Sequence, residues 1–301
     1  CRYYGCNLIL ILFSTPSFLM KYRYQLLLAL VFFHVQAQQS YIDYVSPFHP
    51  IESSSGMVVS QNDLSSQLGT EILNKGGNAV DAAVAVGFSL AITLPRAGNL
   101  GGGGFMLVYI KEKQEIYYID YRSSSPLNAN IKDLFNTNLP KDYKKTDFDK
   151  SRFGHKASAI PGTVAGLLEA HRNFGKLSLK EILEPVIKQA SEGIRVSYDL
   201  DKAIESTPQL FNDPESRKIY FDNGKPLVKN TLMKRPDLAE TLSHISANGH
   251  KGFYEGPTAE KIIDAMNANN GFMTLEDFKN YKVNSGSPIS ITYRDNVIFT
   301  A

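Results

Sequence analysis

Apolar positions recur every fourth residue at Leu64, Leu68 and Ile72, which predicts a helix over about Asp63 to Lys75 with one buried face. Gly76 and Gly77 end it by supplying left-handed conformations. Asn78 is placed to cap a second helix, about Ala79 to Ile92. Its residues Ala82, Ala83, Val84, Ala85 and Val86 are small and apolar almost all round, the pattern of a buried, closely packed helix. Ahead of this pair, Met57-Val58-Val59-Ser60 predicts a short buried strand. Beyond Pro95 and the glycine-rich run 98–104 the chain reads as two strands, about Phe105–Lys111 and Glu115–Tyr121, joined by a polar turn at Glu112-Lys113-Gln114. Residues 57–121 are therefore expected to form a helix pair packed on strands.

Residues 122–156 lose this order. Lys141, Lys144 and Lys145 mix with Asp142, Asp147 and Asp149, which predicts a solvated surface loop. Helical patterning returns at Pro161-Gly162-Thr163 and runs to about Phe174. Ser178 and Glu181 form a capping box for a helix to about Glu192. Pro236 sits in the first turn of a helix that stops at Gly249, and another spans about Pro257 to Asn270. Thr274-Leu275-Glu276-Asp277 starts a short helix, and Ile289–Tyr293 with Asn296–Thr300 predicts a closing hairpin around Arg294-Asp295. Strands, then a long helical stretch, then strands again point to a sheet covered by helices on one side.

The 301 residues are 43% hydrophobic and 21% charged, with a net charge of +2, enough for a sizeable core and too balanced to steer the chain to nucleic acid. Residues 1–19 precede the first methionine and read as upstream translation. From Met20, Lys21 and Arg23 precede an apolar run, Leu26 to Phe33, and then Val35-Gln36-Ala37; this is a secretory signal peptide over 20–37. The run is shorter than the roughly 20 residues a spanning helix needs, so no stable membrane anchor is expected. Residues 38–56 form a lead-in, and 57–301 one domain. Both cysteines, Cys1 and Cys6, fall before Met20, so the exported chain is expected to lack disulfides and thiolate chemistry. A periplasmic or secreted location fits that pattern.

Gly101-Gly102-Gly103-Gly104 leads into a strand rather than a helix and has no Lys-Ser/Thr after it, so it is not a phosphate loop. Its expected role is steric, a backbone passing tightly against the helix Ala79–Ile92. The histidines, among them His171 and His244 on partly exposed helical positions, show no paired metal spacing, and no Gly-x-Ser-x-Gly occurs. No metal or cofactor is called for.

Several ordered blocks change this picture. Gly76-Gly77-Asn78-Ala79-Val80-Asp81-Ala82-Ala83, Gly98-Asn99-Leu100-Gly101-Gly102-Gly103-Gly104-Phe105, Asp120-Tyr121-Arg122 and Ile160-Pro161-Gly162-Thr163-Val164-Ala165-Gly166 stand in sequence. Arg235-Pro236-Asp237-Leu238, Gly252-Phe253-Tyr254-Glu255-Gly256 and Met273-Thr274-Leu275-Glu276-Asp277-Phe278 follow. The set resembles the signature blocks of γ-glutamyltransferases and covers about residues 56 to 300.

The resemblance implies an α+β, αββα-sandwich Ntn-hydrolase fold, of which this chain would be the large-subunit part. It implies a precursor that cuts itself before a threonine, whose own amine then serves as base while its hydroxyl attacks a γ-glutamyl carbonyl. Transfer from glutathione and related compounds to water, amino acids or peptides would follow, in a heterodimer with the small subunit of the same precursor. That nucleophile is expected downstream of residue 301, so no catalytic residue is assigned in this chain. Thr163 is the decoy, better read as a cap or packing residue. The site residue that the resemblance places here is Arg122, facing the substrate α-carboxylate; a planar guanidinium suits that task. The competing reading is a surface arginine paired with Asp120. Where many members follow this arginine with glutamate, this chain has Ser123-Ser124-Ser125-Pro126, a departure that bears on how Arg122 is oriented. The alternatives to this function are a cephalosporin-acylase-like amidohydrolase of the same superfamily, or a non-catalytic binding protein.

Overall fold

The computed structural model describes residues 51–130 and 154–301. The chain divides into two compact units, 1–54 and 55–301. Of the first, residues 51–54 are described; they are exposed and irregular. The upstream stretch 1–19, the signal peptide 20–37, most of the lead-in and the charged loop residues between Lys141 and Asp149 lie outside the described residues. Among those described, no helix is long and apolar enough to cross a membrane.

The second unit begins with α1 (Asp63–Asn74), whose N-terminal N–H groups at Leu64 and Ser65 are accepted by the Asn62 side chain. Leu68 and Ile72 are buried, while Leu64 is 38% exposed, so the apolar stripe narrows toward the helix start. Gly76 takes φ +91 and turns the chain into α2 (Ala79–Thr93). Asn78 and Asp81 form a reciprocal capping box. The wholly buried Asp81 also accepts the Lys176 and Leu177 N–H groups at 3.0 and 3.3 Å, tying the start of α2 to the turn after the next helix. Between α1 and α2, Ser65 Oγ lies 2.8 Å from both Ser89 Oγ and Thr93 Oγ1, so these buried hydroxyls satisfy one another.

β1 (Phe105–Ile110) and β2 (Glu115–Asp120) pair antiparallel, from Phe105↔Asp120 to Ile110↔Glu115. Their inward residues Val108 and Ile119 are buried, and the helix against β2 is α3 (Thr163–Phe174). α4 (Leu179–Glu192), capped by Ser178 and Glu181, lies against α2. Next come β3 (Ile194–Arg195), α5 (Tyr198–Glu205), α6 (Gln209–Asn212), α7 (Pro214–Tyr220), β4 (Phe221–Asp222), β5 (Lys225–Pro226) and β6 (Leu232–Met233). β3 pairs with β6, and β4 with β5. Then come α8 (Pro236–Asn248), packed on α4, α9 (Lys251–Tyr254), α10 (Gly256–Ala268) and α11 (Leu275–Asn280). β7 (Asn284–Gly286) joins the free edge of β2, and β8 (Ile289–Tyr293) and β9 (Asn296–Thr300) close the chain as a hairpin.

The helices thus cover one face of the β1–β2–β7 sheet. The other face shows Phe105, Leu107 and Tyr109, 46, 42 and 59% exposed, and the β8–β9 hairpin exposes Ile289, Ile291, Val297 and Phe299.

Four expectations are corrected. Met57–Ser60 forms no strand; Met57 and Val59 are exposed, Val58 turns inward against Gly69 of α1, and Ser60 is half-buried, its N–H donating to Ser66 Oγ at 3.0 Å. Among the described residues the segment has no partner strand, and it serves as the lead into the α1 cap. The glycine tetrad does not press on α2: a side chain at Gly103 would meet the backbone of residues 121–123, and one at Gly104 the Tyr121 ring. Within the run 98–104, Gly98 lies against α2, at Leu90. The helix packed most directly on the sheet is α3, while the α1–α2 pair shares its core with Val108 and Ile119. The helix expected over 257–270 runs from Gly256 to Ala268, ended by Asn270 at φ +56.

Candidate functional site

Arg122 leaves the end of β2, and both sides of its peptide unit are held. Its N–H donates to Asp120 Oδ1 at 2.9 Å. Its carbonyl accepts the Tyr281 hydroxyl, also at 2.9 Å, from a residue 159 positions downstream. The backbone of 121–123 lies so close to Gly103 that a Cβ there would stand 2.5 Å from the Ser123 nitrogen. Farther on, Ser124 and Ile160 exchange two backbone hydrogen bonds, at 3.2 and 2.8 Å, and the Leu127 N–H donates to Asp277 Oδ1 at 3.0 Å. The strip after β2 is therefore anchored at four points while the Arg122 side chain remains exposed. Its guanidinium carbon sits 5.9 Å from the centroid of the Phe105 ring, on the uncovered face of the sheet. Asp120 contacts Arg122 through the backbone N–H; the guanidinium goes to the aromatic ring.

Behind the strip is a tyrosine stack. The rings of Tyr281 and Tyr254 are stacked and nearly parallel, centroids 5.8 Å apart at 3°. Tyr254 donates to the Pro161 carbonyl at 2.8 Å and accepts the Ala165 N–H at 3.2 Å, joining the stack to the start of α3. Burial, with the Asp120 carboxylate adding to it, pushes the Tyr281 phenol up to about 12. Burial pushes Tyr254 higher still. Both remain protonated donors through the physiological range. Tyr121 packs into the space left by Gly162 and Gly166, and the Gly102 carbonyl accepts the Gly162 and Thr163 N–H groups at 2.7 and 3.0 Å. Thr163 is thus the first residue of α3, with its nitrogen in a peptide bond and engaged by Gly102. It has no free amine with which to activate its hydroxyl.

A cavity of about 740 Å³ opens elsewhere, lined by Arg235, Asp237, His244, Thr258 and Lys261 among others; Arg122 is not part of its wall. Arg235 and Asp237 pair at 2.9 Å, and His244 Nδ1 lies 3.3 Å from Thr258 Oγ1. His171 and His244 are half-buried, as their positions suggested. The family resemblance pointed to Arg122, while no reading of the sequence pointed to Tyr281 or Asp120 as the holders of its peptide unit. Asp120 was visible as a neighbour; nothing local links Tyr281 to it.

The arrangement fits a known family. The family described as Gamma-glutamyltranspeptidase matches residues 65–301. The glutathione hydrolase proenzyme of Escherichia coli (strain K12) is 40% identical over 255 residues, covering 84% of this chain and 43% of that protein. The crystal structure of Helicobacter pylori γ-glutamyltranspeptidase superposes with a TM-score of 0.77 at 33% identity, covering 83% of this chain and 71% of that one. A cephalosporin acylase from Bacillus halodurans gives a TM-score of 0.72 at 24% identity over 86% of this chain and 49% of its own, a likeness of fold alone. The chain spans less than half the length of the curated relatives it matches. With the model matching most of its length and the relatives agreeing, the chain belongs to the γ-glutamyltranspeptidase family, on an α+β Ntn-hydrolase fold.

Proposed function

We propose that this chain is the large-subunit part of a γ-glutamyl hydrolase and transferase acting on glutathione and related γ-glutamyl compounds, and that Arg122 binds the substrate α-carboxylate. The observation that carries this reading is an exposed guanidinium on a backbone held at both its N–H and its carbonyl. Such a backbone fixes where the side chain starts, and a planar guanidinium can meet a carboxylate with two parallel hydrogen bonds. The threonine nucleophile would come from the small subunit of the same precursor. That subunit would cover the uncovered sheet face and the β8–β9 hairpin, whose apolar side chains are exposed in this chain. The basic and apolar pattern of 20–37 supports export to the periplasm or beyond.

The test uses a full-length, processed protein that carries this chain, with a γ-glutamyl substrate and an analogue lacking the α-carboxylate. Arg122→Ala is expected to cost about 2–5 kcal/mol of transition-state stabilisation with the full substrate. It is expected to change little with the analogue. Arg122→Lys keeps the charge without the planar fork and recovers part of the loss. Self-processing involves no substrate carboxylate and survives both changes. An Arg122→Ala enzyme that still prefers the full substrate as strongly as wild type overturns the assignment.

A further inference from the structure

The Arg122 peptide is held by two groups from different parts of the chain. Asp120, two residues before it, takes the N–H, and Tyr281, from the segment after α11, gives its hydroxyl to the carbonyl. Tyr281 is 8% exposed and lies against the ring of Tyr254. Tyr254 is in turn fixed to Pro161 and Ala165. Gly162 leaves the room: a Cβ there would collide with both the Tyr281 hydroxyl and the Tyr121 carbonyl. The phenol is therefore locked in position and aimed at one acceptor. Ser123, directly after Arg122, carries no charge that could orient the guanidinium through the chain. The Phe105 ring meets the guanidinium at its far end, and the held backbone aims the side chain at its root.

We propose that Tyr281 is a positioning residue for substrate binding: its hydrogen bond to the Arg122 carbonyl sets the direction in which the guanidinium leaves the end of β2 and so sets affinity for the substrate α-carboxylate. This rests on the role given to Arg122 above. The contact is made before and after the substrate arrives, so it acts on ground state and transition state alike. Its loss raises KM and leaves kcat nearly unchanged. Removing one hydrogen bond that acts through a neighbour is expected to raise KM about three- to tenfold.

The experiment is kinetics on the processed full-length protein as wild type, Tyr281→Phe, Arg122→Ala and the double variant, with a γ-glutamyl anilide and an analogue lacking the α-carboxylate. Tyr281→Phe is expected to raise KM for the full substrate only and to have no further effect in the Arg122→Ala background. Equal losses with both substrates, or a full Tyr281→Phe effect in the Arg122→Ala background, mean a merely structural tyrosine and overturn the proposal. If Arg122→Ala loses the carboxylate preference and Tyr281→Phe keeps wild-type KM, the proposal fails while the Arg122 assignment stands. If Arg122→Ala keeps the preference, both fall. Should Tyr281→Phe process poorly, Asp120→Ala releases the other side of the same peptide and is expected to give the same substrate-selective rise in KM; no rise there overturns the two-sided clamp.

Discussion

The ring of Tyr121 sits directly on Gly166, in the second turn of α3, and a Cβ at Gly166 would fall inside the ring's contact distance. This contact sets how closely β2 approaches α3, and therefore where the chain emerges as Arg122. In an open helix, Gly→Ala gains up to about 1 kcal/mol of helix propensity. Here overpacking costs about 1–3 kcal/mol and outweighs that gain. Gly166→Ala is expected to lower the denaturation midpoint of the processed protein. A midpoint equal to or above wild type shows that Tyr121 can move aside.

Asp81 is wholly buried and its carboxylate accepts N–H groups from Asn78, Lys176 and Leu177. Asp81→Ala leaves these donors without their acceptor and is expected to destabilise the fold by about 1–3 kcal/mol. Asp81→Asn keeps one acceptor oxygen and is expected to lose less. Denaturant titration of the two variants gives the order directly.

Alkaline pH provides a third check. The Tyr281 phenol is raised from 10 to about 12 in the folded protein. A raised pKa stabilises the fold fully below the unfolded value, near 10, and that contribution is lost as pH rises through the folded value. Stability is therefore expected to fall between about pH 10 and about pH 12, where the unfolded chain releases the proton first. Tyr281→Phe is expected to flatten this slope, as measured by denaturation at stepped pH. An unchanged slope assigns the alkaline loss to other tyrosines.

A protein of residues 38–301 alone is expected to show no turnover of a γ-glutamyl anilide and to bind a hydrophobic dye through Leu107, Tyr109 and the β8–β9 hairpin. Leu107→Lys is expected to reduce dye binding of that protein. In the full-length protein the same substitution is expected to impair subunit association or self-processing, because it buries a lysine in the proposed interface. Normal processing of Leu107→Lys argues that another surface covers this sheet.

Much of this protein was determined by its sequence alone, because the forces involved are local. The four-residue apolar spacing of Leu68 and Ile72, the capping pairs Asn78–Asp81 and Ser178–Glu181, and the Arg294-Asp295 turn each act within a few residues, and each stands where the pattern placed it. The ordered blocks pointed to Arg122 only through the family they resemble, and its role is the proposal made above. Tertiary structure decided what depends on contacts distant in sequence. Among the described residues it left Met57–Ser60 without a partner strand and gave Asn284–Gly286 to the edge of β2, although that polar segment carries no strand pattern. It turned the glycine tetrad toward residues 121–123 instead of α2. It also brought Tyr281 to the Arg122 carbonyl: a hydrogen bond across 159 residues leaves no periodicity in either segment, and only the packing of α3, α9 and α11 brings the two together.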